Sequence, residues 1–322
     1  MPTVQTVRGP VDTGGLGAVD AHEHVFLSSP FLAGEHFDDP ERMCAELELV
    51  ARSGIDTVVD LTTVGLGRRP AELAEISRRS GVHVVLATGY HRDAHYAADH
   101  WVHREDTEVL LDVVLTDLRT GIDERDWRGP APKPTTVRAG VVKVGASYQR
   151  MTAGERRRIE VCVEAARLTG VSVAAHCEIG TMAGEILDLA EAGGLTPDRV
   201  ALAHMDRNPD PGLHGELAGR GAYLLYDTVG RIKYRPDSDL VTLLERVLDG
   251  GHADRLLLGT DVGRRTMLRS YGGGPGMDVL GRDFLPRLRR HVGDEPVDRI
   301  TRANPARFLA TPARFLATKD VS

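Results

Sequence analysis

The run Val19-Asp20-Ala21-His22-Glu23-His24-Val25-Phe26-Leu27 places two imidazoles, His22 and His24, two residues apart at the end of a short apolar stretch. On a β-strand, residues i and i+2 share a face, so the two rings project together while Glu23 turns away. Neutral imidazoles side by side are half of a site for a divalent cation. A hydrogen-bonded structural pair has the same spacing, so the reading depends on whether other strands bring further donors to the same place.

Four more stretches carry such donors. Val173-Ala174-Ala175-His176-Cys177-Glu178 ends on His176, Ala201-Leu202-Ala203-His204 on His204, and Leu258-Gly259-Thr260-Asp261 on Asp261, while Val141-Val142-Lys143-Val144-Gly145 holds Lys143 within an apolar run. A lone His there is commonly a hydrogen-bonded structural residue, and a lone Asp at a strand-to-helix junction is commonly a helix cap. Lys143 resists such explanations, because burying an unpaired ammonium costs several kcal/mol. It needs an anionic partner or a changed chemistry. Four His, one Asp and one Lys exceed the ligands of one tetrahedral zinc but suit two metals sharing a bridge.

To bring these residues together the chain must set several strand ends side by side. Short β-branched runs alternate with amphipathic stretches through almost the whole sequence, the pattern of repeated βα units on a parallel sheet. Eight strands are expected, from Ala18 to His24, Thr57 to Thr62, His83 to Gly89, Ala139 to Gly145, Ser172 to Cys177, Val200 to His204, Ala222 to Asp227 and Arg255 to Asp261. Between them lie helical patterns such as 155–168, which stops at Gly170. The fold class is therefore α/β, a (β/α)8 TIM barrel, with an open doubly wound sheet as the alternative. Barrels collect functional groups at the C-terminal ends of their strands, which is where one register puts all six residues.

No linker or composition break divides the 322 residues, so they read as a single domain over 1–322 with a C-terminal tail from about 312. Ala131-Pro132-Lys133-Pro134 reads as a surface excursion. The heptad Pro305-Ala306-Arg307-Phe308-Leu309-Ala310-Thr311 recurs directly as residues 312–318. The first copy is expected to pack on the barrel, and the second, opened by a helix-breaking Pro312, to form a tail or an oligomer contact.

With 40 Lys+Arg against 47 Asp+Glu, the net charge of −7 gives no general attraction to nucleic acid or membrane surfaces. No run approaches the roughly 18 apolar residues of a membrane span, and the N-terminus lacks the basic-then-apolar pattern of a secretory leader. Three scattered cysteines, Cys44, Cys162 and Cys177, read as buried thiols in a reducing compartment, so a cytoplasmic location is the expectation. The expected partner is a small-molecule substrate, and a homodimer is an assembly the sequence leaves open.

The six positions, together with Gly145-Ala146-Ser147 and Asn304-Pro305-Ala306-Arg307-Phe308-Leu309, resemble the phosphotriesterase family of the amidohydrolase superfamily over nearly the entire chain. The resemblance implies that Lys143 is carboxylated by carbon dioxide to N6-carboxylysine and bridges two divalent ions, most often Zn2+, with Mn2+ or Co2+ as alternatives. It implies that His22, His24 and Asp261 hold one ion and that His176 and His204 hold the other. A hydroxide held between two cations is a nucleophile at neutral pH. Asp261, at the metal edge, is placed to take its proton and deliver it to the leaving group. That chemistry suits a lactone, an ester or a phosphoester without choosing among them.

The loops after the seventh and eighth strands read Arg231-Ile232-Lys233-Tyr234-Arg235 and Gly263-Arg264-Arg265-Thr266-Met267-Leu268-Arg269, a basic cluster where barrels commonly bind phosphate. Lys233 and Arg264 are the expected anion-binding residues, whereas Arg235 and Arg269 suit pairing with surface acids. The segment also resembles the branch of the family that opens lactones of phosphorylated sugars, where a Lys and an Arg at these places hold the phosphate. The tyrosine that this branch carries three residues after the Arg is Met267 here, with Tyr271 a candidate replacement. Tyr90, His91 and Arg265 are further expected substrate contacts. His83 lies at the opposite strand end and reads as structural; His100 and His103 fit a packed loop.

The expected activity is that of a binuclear metal-dependent hydrolase opening a small lactone, phosphorylated or otherwise anionic. The alternative among enzymes is a phosphotriesterase, acting on organophosphates, or an amidase with the same centre. The alternative outside enzymes is a metabolite-binding barrel without catalysis. The basic cluster favours an anionic lactone over a neutral triester, and the presence of all six metal positions argues against the non-catalytic barrel.

Overall fold

The structure, a computed structural model, describes residues 2–127 and 132–312. The chain begins with an antiparallel hairpin, β1 (Thr3–Thr6) and β2 (Gly9–Asp12), which the sequence pattern above does not anticipate. Eight parallel strands follow in chain order: β3 (Val19–Glu23), β4 (Thr57–Asp60), β5 (His83–Gly89), β6 (Val141–Ala146), β7 (Val173–Cys177), β8 (Val200–Ala203), β9 (Tyr223–Tyr226) and β10 (Leu256–Leu258). Helices α1 (Pro40–Arg52), α2 (Pro70–Ser80), α3 (Thr107–Arg119), α4 (Ala153–Thr169), α5 (Ala183–Ala192), α6 (Pro211–Arg220) and α7 (Asp237–Asp249) alternate with them. This is the (β/α)8 barrel, not the doubly wound sheet.

The ring closes beyond the end of β10, where the Asp261 N–H donates to the His22 carbonyl at 2.9 Å. Gly259 permits this approach, since a Cβ there would lie 2.9 Å from the His22 nitrogen. β10 is shorter than the expected Arg255 to Asp261: Gly259 still donates to the Tyr226 carbonyl of β9 at 3.0 Å, whereas Asp261 has turned to β3.

Strand periodicity sorts the core into two layers. Val85, Ala87, Val141, Ala174, Ala201, Leu225 and Leu257 fill the barrel interior, while Val84, Leu86, Val142, Val144 and Leu202 pack outward beneath the helices. Val4 of the hairpin, Leu16, Phe308 and Leu309 complete the interior cluster. Lys143 shares the face of Val141 and so points into the barrel.

Helix α4 starts at Ala153, two residues ahead of the expected stretch, because Thr152 and Glu155 form a capping box; Gly170 ends it in the left-handed conformation, φ 70°. The first heptad copy supplies most of a last helix, α8 (Asn304–Leu309), whose Phe308 and Leu309 are buried. Ala131 and the second copy from 313 onward lie outside the described residues. Among the described residues no helix is long and apolar enough to cross a membrane.

Candidate active site

At the C-terminal mouth of the barrel the candidate ligands come together. His22 Nε2 and His24 Nε2 each lie 3.5 Å from Asp261 Oδ1, and the three side chains present donor atoms within 4.8 Å of one another, a grouping that could hold one cation. His176 Nδ1 and His204 Nε2 approach each other to 2.8 Å. The His22 and His204 rings are 5.3 Å apart, so the two groups adjoin. His204 and Asp261 take left-handed backbone conformations, φ 65° and 50°, each costing about 1–2 kcal/mol for a non-glycine residue.

Each imidazole is held by its other nitrogen. Asp227, fully buried, accepts from His22 Nδ1 on one oxygen and from His204 Nδ1 on the other, both at 2.7 Å. His24 Nδ1 donates to Thr62 Oγ1 at 2.9 Å, and Thr62 in turn donates to the Phe26 carbonyl. His176 is reversed, with Nε2 donating to Glu178 at 2.6 Å. These partners select the tautomers that leave His22, His24 and His204 free at Nε2 and His176 free at Nδ1. Burial, with Lys143 nearby, lowers the His22 pKa to about 3; burial, with His204 nearby, lowers that of His176 well below its usual value. Both rings are therefore neutral, the form that ligates metals. His22, His204 and Asp227 also satisfy ligand distances among themselves, but each oxygen of Asp227 already accepts an Nδ1–H from one of the rings, so Asp227 orients them.

Lys143 is 1% exposed, and its Nζ has no partner among the described residues. Its charge acts on His22 and on His176, one member of each ligand group. Burial lowers its pKa to about 8 against the opposing pull of Asp227 and Asp261. As a free ammonium it would cost several kcal/mol; conversion to an anion between two cations would remove that cost. Four imidazoles, a carboxylate and a buried unpartnered amine fit a pair of divalent cations.

The site opens into a cavity of about 190 Å³, small beside the roughly 300–1,000 Å³ of pockets for drug-sized ligands. Lys233, Arg264 and His91 line it, as the sequence suggests, together with Arg92, Arg207 and Arg231. His91 stacks on His95 at 3.8 Å. Three expected contacts do not line this cavity. Tyr90 shares the outward parity of Val84, Leu86 and Thr88, so it is buried under the helices with its hydroxyl donating to the Leu110 carbonyl at 2.8 Å. Arg265 is exposed, and its N–H is engaged by the Glu35 carbonyl. Tyr271 accepts from the Asp39 N–H at 3.1 Å beneath the Arg42 guanidinium, so it serves the start of α1 and does not stand in for the tyrosine absent at Met267.

The residues missed by sequence reasoning are the supporting ones: Asp227, Thr62, Glu178, Arg207 and Arg231. Asp227 carries the same signal as His204 and Asp261, a polar residue closing an apolar run. Arg207 Nη2 lies 2.6 Å from Asp261 Oδ2, and Arg231 binds the same oxygen. Burial alone would raise the Asp261 pKa, but Arg231 and His22 outweigh it and hold the carboxyl well below its usual range.

A parallel barrel with imidazoles, a carboxylate and a buried lysine gathered at its strand ends defines a metal-dependent hydrolase. The model of the Phosphotriesterase family matches residues 2–309, and the chain belongs to that family. It is 28% identical over 321 residues to a phospho-furanose lactonase of Mycoplasmopsis synoviae, covering 95% of this chain and 91% of that protein. The structure of a lactonase from Listeria monocytogenes superposes with a TM-score of 0.89 at 26% identity, covering 96% of this chain and 99% of that one. That of the phosphotriesterase homology protein from Escherichia coli, complexed with phosphate in the active site, superposes with a TM-score of 0.83 at 28% identity, covering 92% and 99%. The chain is a hydrolytic enzyme of this family.

Proposed function

We infer that the chain is a binuclear metal-dependent lactonase acting on a small sugar lactone that carries a phosphate or another anionic group. The observation that carries this reading is the placement of Lys233 and Arg264 on the wall of a small cavity that also contains His22, His24, His176 and Asp261. Lys233 has no carboxylate within 4 Å among the described residues, and Arg264 has only Glu35 at 3.8 Å, so both are available to an anion. The lactonase relative and the phosphate-bearing neighbour support the same direction.

His22, His24 and Asp261 would hold one cation, His176 and His204 the other, and Lys143, as N6-carboxylysine, both. Bound divalent cations, Zn2+ or alternatively Mn2+ or Co2+, supply Lewis acidity toward an ester carbonyl and acidify water at neutral pH. Burial keeps the His22 and His176 rings neutral, and Asp227, Thr62 and Glu178 aim the imidazoles. Asp261 takes the water proton and passes it to the departing ring oxygen. Lys233 and Arg264 fix the far end of the substrate, which turns an encounter into an oriented complex.

The test is a panel of lactones with and without phosphate, run on metal-loaded wild type and Arg264→Ala. The variant is expected to lose about tenfold or more in kcat/KM on phosphorylated lactones and little on neutral ones. An equal loss on both would remove Arg264 from anion recognition. Fast triester hydrolysis without lactone opening would overturn the lactonase reading.

A further inference from the structure

Besides Lys233 and Arg264, three other cations line the cavity wall: Arg92, which pairs with Glu178 at 3.1 Å, and Arg207 and Arg231, which have no role yet. The Arg207 side chain is 4% exposed and that of Arg231 12%. Both converge on one oxygen: Arg207 Nη2 is 2.6 Å from Asp261 Oδ2, and Arg231 Nη1 donates to that oxygen and, at 2.9 Å, to the Asp261 carbonyl. The other oxygen, Oδ1, faces His22 and His24. A single carboxylate therefore stands between the candidate ligands and two guanidiniums.

One negative charge shared by two buried positive ones leaves an excess. Tyr234 concentrates it, with Arg207 4.4 Å, Arg231 5.3 Å and the Lys233 amine 5.2 Å from its ring centroid. Among the described residues the only other carboxylate within 4 Å of either guanidinium is Asp227, 3.7 Å from Arg207, and both its oxygens are engaged by imidazoles. Arg207 Nε is buried without an acceptor. Buried cations in this state call for a second anion, and a planar guanidinium is shaped to take a carboxylate.

Lactone hydrolysis makes such an anion. The oxygen of water joins the acyl carbon and the bond from that carbon to the ring oxygen breaks. One water proton goes to the ring oxygen, and the other is released as the new acid ionises. The acyl carbon reacts beside Asp261, the side of the cavity on which the two guanidiniums converge. We propose that Arg207 and Arg231 form a receiving site for this carboxylate, a specificity pair apart from Lys233 and Arg264 that grips the ring-opened acid in preference to the lactone. The substrate is then held at its anionic end throughout and the product at both ends. This rests on the lactonase reading above.

The experiment measures binding by calorimetry, on metal-loaded wild type, Arg231→Met, Arg231→Lys and Arg207→Met at matched metal content. The probes are ribonate 5-phosphate and its neutral amide, ribonamide 5-phosphate, which share the phosphate and differ in the carboxylate. Wild type is expected to bind the acid about tenfold more tightly than the amide. Arg231→Met should reduce that preference at least threefold, and Arg231→Lys should restore part of it. No binding of the acid by wild type, equal binding of acid and amide, or a preference unchanged in both methionine variants overturns the proposal. Because the readout is binding, absence of lactone turnover would sink the lactonase reading separately, and the acid-to-amide ratio would still decide the pair.

Discussion

Replacing Asp227 by Asn removes a charge while keeping the volume, so it isolates the orientation of the two imidazoles that Asp227 serves. In the wild type each carboxylate oxygen accepts one Nδ1–H at 2.7 Å. The amide offers one oxygen and one NH2, so one ring keeps its acceptor and the other meets a donor. That second ring must turn away or move its proton to Nε2, and a protonated Nε2 has no lone pair for a cation. Loss of an orienting partner typically weakens metal binding about 10–100-fold, equivalent to about 1.4–2.8 kcal/mol. Asp227→Asn is therefore expected to retain one cation with near wild-type affinity and to bind the other about 10–100-fold more weakly. Titrating metal-stripped protein with Zn2+ and counting bound ions by mass spectrometry reads both affinities, with circular dichroism confirming the fold. Uptake of two ions at wild-type affinities would show that Asp227 does not aim these rings.

Lys143→Ala should lose the second cation and most activity, and formate or acetate should restore part of both; full activity without added acid would rule out the bridging role. Burial lowers the pKa of His22 and of His95 from 6.5 to about 3, so between these values the unfolded chain binds protons that the folded chain does not. Their contribution to stability is full above about pH 6.5 and is lost progressively as pH falls toward 3. Melting of metal-free protein from pH 8 to 4.5 should show Tm declining below about 6.5, and a flat profile would contradict it. Phe308, 4% exposed and edge-on to Tyr223 at 5.4 Å, belongs to the interior cluster of the barrel. Phe308→Ala should cost roughly 3–5 kcal/mol, seen as a shifted urea midpoint; a loss under 1 kcal/mol would mean that the barrel does not depend on this contact.

The barrel was legible because its signals are local. A strand alternates with period two whatever surrounds it, so the polar residue closing each apolar run marks a mouth position before the partners of that strand are known. The same rule accounts for a failure. Tyr90 continues the outward parity of Val84, Leu86 and Thr88, yet it reads from sequence as a pocket residue because it follows the strand end. Arg265 and Tyr271 sit in loops that have no period, and their directions come from contacts with Glu35 and Asp39, more than 200 residues earlier in the chain.

By itself, then, the sequence determined the alternation of strands and helices, the inward face that carries Lys143, and the strand ends that bear His22, His24, His176, His204 and Asp261. Only the tertiary structure decided which nitrogen of each imidazole is free. That choice belongs to Asp227, which reaches His22 across 205 residues and His204 across 23, to Thr62 and to Glu178. It also decided that two guanidiniums share Asp261, and that His204 and Asp261 take left-handed backbone angles. The physical reason is one of range: periodicity and propensity act over a few residues, whereas tautomers, ion pairs and strained strand ends are set by groups that meet only when the barrel closes.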